Sequence, residues 1–67
     1  MSETLLTPAE LAERWQIGTA VLSQWRYQGK GPVYIKLGHH VRYRLKDVED
    51  FENSNTYRMT GHKIEGN

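Results

Sequence analysis

Sixty-seven residues without a cysteine confine the chain to one small domain that no disulfide framework or cysteine-based zinc site can staple. Nine Lys/Arg against eight Asp/Glu leave a formal net charge of +1, and no apolar run reaches membrane-spanning length or resembles a signal peptide. The charges are segregated, however. Residues 14–46 hold seven Lys/Arg and no Asp or Glu, while the remainder holds two cations and eight anions. A basic working face with acidic flanks is expected, in a chain suited to the cytoplasm.

Met1 to Leu5 reads as a loose lead-in, with Leu6 available as an apolar anchor. Thr7-Pro8-Ala9-Glu10 is a helix start: Thr7 can accept from the third helical N–H, Pro8 suits the first helical position, and Glu10 can close a capping box. The spacing predicts a helix over 8–15, with Leu11, Ala12 and Trp15 inward and Glu10, Glu13 and Arg14 on the polar side. Gln16-Ile17-Gly18 breaks it, with Ile17 turned to the core. Gly18 or Thr19 then caps a second helix over 20–27. Val21, Leu22 and Trp25 form its inward set, leaving Thr19, Ala20, Ser23, Gln24, Arg26 and Tyr27 partly or fully outward. Two helices joined so tightly make a helix-turn-helix.

Gly29 stands where a helix end wants a left-handed residue, and Gly31-Pro32 stops the helix from continuing. Alternation then predicts a hairpin over 33–44, its strands VYIKL and VRYR joined by Gly38-His39-His40. That three-residue loop sets Leu37 against Val41, Ile35 against Tyr43 and Val33 against Leu45, making one face apolar. Tyr34, Lys36, Arg42 and Arg44 fall on the other. A two-residue loop would mix the faces, which is costly where one face is buried.

From Leu45 to Glu52 the spacing is helical again, with Leu45, Val48 and Phe51 inward and Asp47 suitably near the helix start. Beyond Asn53 only Tyr57, Met59 and Ile64 are apolar, and 54–67 reads as a flexible C-terminal tail. The expected fold class is α+β, a small winged helix-turn-helix over 5–53. It comprises two N-terminal helices, a two-stranded antiparallel hairpin as the wing, and a short third helix.

A helix with a polar outer face beside a cationic hairpin is suited to gripping duplex DNA. Ser23, Gln24 and Arg26 are expected at base edges, with Thr19 and Ala20 at the helix entrance and Tyr27 beside them. Lys36, Arg42 and Arg44 are expected on phosphates, Lys30 on the backbone, and His39 and His40 in the minor groove. Trp15 and Trp25 fit core packing better than base stacking, because their periodicity turns both inward. Adjacent His39 and His40 cannot easily point at one metal ion, and no further ligands stand at a usual spacing. No catalytic constellation appears, so neither enzymatic activity nor a cofactor is expected.

TPAELAERW, the turn, and VLSQWRYQGKGPVYIKLGHHVRYRLKDVEDF together resemble the excisionase group of small winged-helix proteins, or recombination directionality factors, related to the MerR-type fold. The likeness spans about residues 5–52, and its most specific part is W-R-x-x-G-x-G-P…K-L-G…V-R-Y-R…D-V. It implies a phage, prophage or mobile-element protein acting near the nucleoid of a bacterial host. Such a protein binds and bends attachment-site DNA cooperatively and directs integrase toward excision. Relatives also regulate transcription, and a prophage operon regulator stays open here, as does an adaptor that presents its basic face to an acidic protein. Relatives commonly have Ser-Pro at Gly18-Thr19, and often Arg or Lys where this chain has Gln24 and His39-His40. The likeness implies a partner for Tyr57, Arg58 and Met59: integrase, or the next copy along the DNA. Their aromatic-cation-apolar order is of the sort that anchors interfaces.

Overall fold

A computed structural model describes residues 3–59 and 62–63. In chain order the elements are β1 (Leu5–Leu6), α1 (Pro8–Trp15), α2 (Thr19–Gln28), β2 (Ile35–Leu37), β3 (His40–Arg44), α3 (Leu45–Ser54), β4 (Tyr57–Met59) and β5 (His62–Lys63). Three helices and a three-stranded antiparallel sheet, ordered β1-β3-β2, give a small α+β winged helix-turn-helix.

Helix α1 starts as its sequence dictates. The Glu10 N–H donates to Thr7 Oγ1 at 3.1 Å, and the Thr7 N–H donates to Glu10 Oε1 at 2.8 Å. This reciprocal box satisfies donors that a helix start otherwise leaves orphaned. The helix ends at Gln16, whose left-handed φ of 56° turns the chain. Ile17 then packs on the core, and Gly18 caps α2 through its extended backbone without a side-chain bond. Gly29, at φ 73°, closes α2.

The core consists of Leu11, Ala12, Leu22, Tyr43 and Val48, with Leu6, Trp15, Ile17, Trp25 and Val41 packed around it. Each fully buried large apolar side chain stabilises by about 1.5–3 kcal/mol. An aromatic cluster extends this packing. Phe51 lies 5.5 Å from Trp15 and 6.0 Å from Trp25 between ring centroids, so both tryptophans serve packing. Val21, expected inward, is 37 % exposed: α2 buries Leu22 and half-buries Trp25, and Val21 stands at the edge of that contact.

Two corrections concern the sheet. The lead-in is part of the fold from Glu3 onward. Leu5 pairs with Arg44 and Leu6 with Tyr43, and the Thr4 carbonyl accepts the first N–H of α3, from Leu45, at 2.9 Å. The hairpin turn, moreover, has two residues. Leu37 stands opposite His40, Lys36 opposite Val41 and Ile35 opposite Arg42. Gly38 takes a φ of 64° and His39 does not share it, as in a turn whose first central residue alone is left-handed. The faces are therefore mixed. Val41 and Tyr43 look to the core, whereas Ile35 and Leu37 share the outer face with His40 and Arg42.

Helix α3 runs two residues past its expected end. Of the expected tail, Tyr57–Met59 and His62–Lys63 pair as a short antiparallel ladder. Thr60, Gly61, residues 64–67 and the side chains of Arg58 and Met59 lie outside the described residues, so the expectation of a flexible tail is not met or refuted there.

Candidate nucleic-acid interface

The tight Gln16-Ile17-Gly18 turn and the burial of Leu22 fix which side of α2 meets solvent. Thr19, Ala20, Ser23, Gln24 and Tyr27 are all exposed, Tyr27 at 89 %. They form one uncharged stripe of two hydroxyls, an amide and a phenol around the Ala20 methyl. Hydrogen-bonding groups on an exposed helix are the means by which base edges are read in a major groove.

The hairpin supplies charge. Lys36, His39 and His40 are exposed around its tip, and Lys30 is exposed on the loop that leaves α2. Lys30 flanks a shallow depression of about 310 Å³, lined also by Arg26, Pro32 and Tyr34. The apolar Val33, 65 % exposed, and Leu37, 54 % exposed, stand next to these lysines and histidines in the chain. Arg42 is half-buried, and its Nη1 donates to the Val41 carbonyl at 2.7 Å.

The other two expected site arginines are engaged with side chains of the protein. Arg44 Nε donates to Glu3 Oε1 at 2.9 Å, and its Nη1 lies 3.7 Å from Asp47 Oδ2. Its charge is largely matched at the junction of β1, β3 and α3. Arg26, on α2, is half-buried. Its Nη1 donates to the Tyr43 hydroxyl at 2.6 Å and its Nη2 to Ser23 Oγ at 3.2 Å. Its Cζ also lies 5.8 Å from the centroid of the Tyr34 ring, within cation–π range.

Thus the structure brings Ser23, Arg26 and the hairpin base together, and sets Gln24 and Tyr27 beside them on α2. Arg44 is held apart from that group. Tyr34, read from the sequence as a neighbour of the cations on the outer face, stands against Arg26, and Tyr43 is the member that the sequence reading did not place in the site. The available signal was chemical: a tyrosine at an inward strand position needs a partner for its hydroxyl, and Arg26 supplies it.

No helix among the described residues is long and apolar enough to cross a membrane. A family model described as a helix-turn-helix domain matches residues 5–56. No curated protein and no solved structure matches the chain.

Proposed function

Because the chain belongs to the helix-turn-helix domain family, whose folds serve DNA binding, we propose that it recognises a specific duplex DNA sequence and acts as an excisionase. In this reading α2 enters the major groove, where Gln24, Ser23 and Arg26 meet base edges and Thr19, Ala20 and Tyr27 line the entry. Lys30, Lys36 and Arg42 hold phosphates, while His39 and His40 reach the minor groove. The ion-paired Arg44 stands at the margin of this surface and contributes least.

One observation carries the reading: from Arg14 at the end of α1, through α2 and the hairpin, to Lys46 in the first turn of α3 there is not a single acidic side chain. Such a surface attracts a polyanion by releasing its counterions. The excisionase assignment rests on the sequence resemblance. It makes Tyr57, Arg58 and Met59 the contact to integrase or to the next bound copy, and the Tyr57 side chain is exposed.

The test is selection of bound duplexes from a random pool, then salt titration of the preferred and a random duplex. Affinity for both should fall steeply with salt, with the preference surviving. Gln24→Ala should reduce that preference by about 1–3 kcal/mol. Selected sites repeated beside an attachment site, and stimulation of excision when integrase is added, support the excisionase role. Sites over a promoter alone would make the protein an operon regulator. Absence of salt-dependent duplex binding would leave the adaptor reading.

A further inference from the structure

We propose that Tyr43 is a positioning residue for sequence discrimination, holding the Arg26 guanidinium in one orientation before DNA arrives. The inference rests on the duplex-binding reading above and names a device within that surface. Tyr43 is only 1 % exposed, so its ring belongs to the core and cannot lie against DNA. Its hydroxyl nevertheless accepts from Arg26 Nη1 at 2.6 Å, a short, charge-assisted bond.

The guanidinium is held from three places in the chain. Ser23, one turn earlier on α2, accepts from Nη2 at 3.2 Å, Tyr43 on β3 accepts from Nη1, and the Tyr34 ring lies 5.8 Å from Cζ. Tyr34 is itself steadied by Tyr43, their ring centroids 6.2 Å apart. A guanidinium has five N–H donors. Two are used among the described residues, and the other three can serve an acceptor outside the protein. All the partners are neutral, so the positive charge is kept.

Arginine is among the side chains with most rotamer freedom to lose on binding. If that freedom is lost during folding, recognition does not have to supply it. Ordering one such side chain in advance is worth about two- to tenfold in affinity. The benefit falls on the sequence to which the oriented guanidinium is matched. Random duplex, held by phosphate contacts alone, gains none of it.

The experiment compares the wild type, Tyr43→Phe, Arg26→Ala and the double variant on the preferred and a random duplex. Tyr43→Phe should weaken the preferred site about two- to tenfold, with random-duplex affinity and salt slope unchanged. The effect should vanish when Arg26 is already alanine. Equal loss on both duplexes, or a loss that persists without Arg26, overturns the proposal and makes Tyr43 merely structural. If Tyr43→Phe does not fold, Tyr34→Leu tests the same restraint from the surface, and absence of selective loss there overturns it. Guanidinium NMR of the free wild-type protein gives a readout without DNA. Restricted rotation at Arg26, released in Tyr43→Phe, supports the restraint, and free rotation in the wild type overturns it. A wild type with no preference among duplexes instead overturns the underlying DNA-binding reading.

Discussion

The junction of α1, α3, β1 and the end of β3 at Arg44 treats charge in the opposite way from α2 and the rest of the hairpin. At the junction cations meet carboxylates. Arg14 donates from Nε and Nη2 to both oxygens of Glu52, at 2.7 and 3.0 Å, and Trp15 Nε1 adds a bond to the same carboxylate at 2.6 Å. Arg44 likewise meets Glu3 and Asp47. On α2 and in the hairpin short of its last residue, Arg44, the arginines are held by neutral groups instead: Arg26 by Tyr43 and Ser23, Arg42 by the Val41 carbonyl. Neutral acceptors fix geometry without cancelling charge. One region thus uses its cations to hold the fold, and the other keeps them for a polyanion.

The largest expected effect comes at the seam between α2 and the hairpin. Gly31 has a φ of 82°, and a Cβ there would lie 2.9 Å from Trp25 Cε3 and 3.2 Å from Trp25 Cβ. Gly31→Ala therefore combines a left-handed backbone penalty with overpacking, together about 2–4 kcal/mol. In a domain of this size that is a fall in thermal midpoint on the order of 10–30 °C. Gly29 is the control. Its φ is 73° but its Cβ would meet nothing within 4 Å, so Gly29→Ala should bear only the backbone penalty, about 1–2 kcal/mol. Equal midpoints for the two variants would show that Trp25 yields freely, and that the seam is softer than its geometry indicates.

A smaller effect separates charge from specificity. Lys36→Ala and Arg42→Ala should each flatten the salt dependence of duplex binding by roughly one unit, alike on preferred and random DNA. Their thermal midpoints should stay near the wild type, because neither residue has a carboxylate partner among the described side chains. Arg44→Ala should do the reverse, disturbing stability more than the salt slope. An Arg44 variant that flattens the slope as much as Arg42→Ala would break the division between the two regions.

The sequence made the helices legible because their signals are local. A capping box, a proline at the first position and a left-handed glycine mark ends that the backbone itself requires, and α1 spans the very residues those signals delimit. The hairpin register was not legible, for an equally physical reason. Segregation of faces constrains register only where a face is buried. The wing tip reaches beyond the core, so Leu37 and Val33 can be exposed and the two-residue turn at Gly38 decides the pairing. β1 escaped notice because two residues carry no periodicity. The basic stripe of the candidate site was visible as a run of sequence. Which arginines are free was not, since Arg44 meets Glu3 from 41 positions away and Arg26 meets Tyr43 from 17.

The smallest effect tests the junction alone, through pH. Hydrogen bonds from Arg14, and next from Trp15, hold the Glu52 carboxyl below its ordinary value of 4.5. A carboxylate whose folded-state value is depressed stabilises the fold above its ordinary value. That stabilisation is lost as pH falls through the depressed one. The wild-type thermal midpoint should therefore decline on acidification through the carboxylate range, and part of that decline belongs to Glu52. In Glu52→Gln the amide can still accept from Trp15 but carries no charge for Arg14. Because Arg14 and Glu52 are both partly exposed, at 41 % and 32 %, solvent screens the pair. The loss at neutral pH should be less than about 5 °C. The variant's midpoint should then fall less than the wild type's between neutrality and about pH 3, so that the two curves converge. Duplex preference at neutral pH should not move, since Glu52 lies on α3, outside α2 and the hairpin. Parallel curves over the whole range would show that this pair adds nothing measurable to stability. The junction would then owe its order to packing of Trp15, Trp25 and Phe51 rather than to charge.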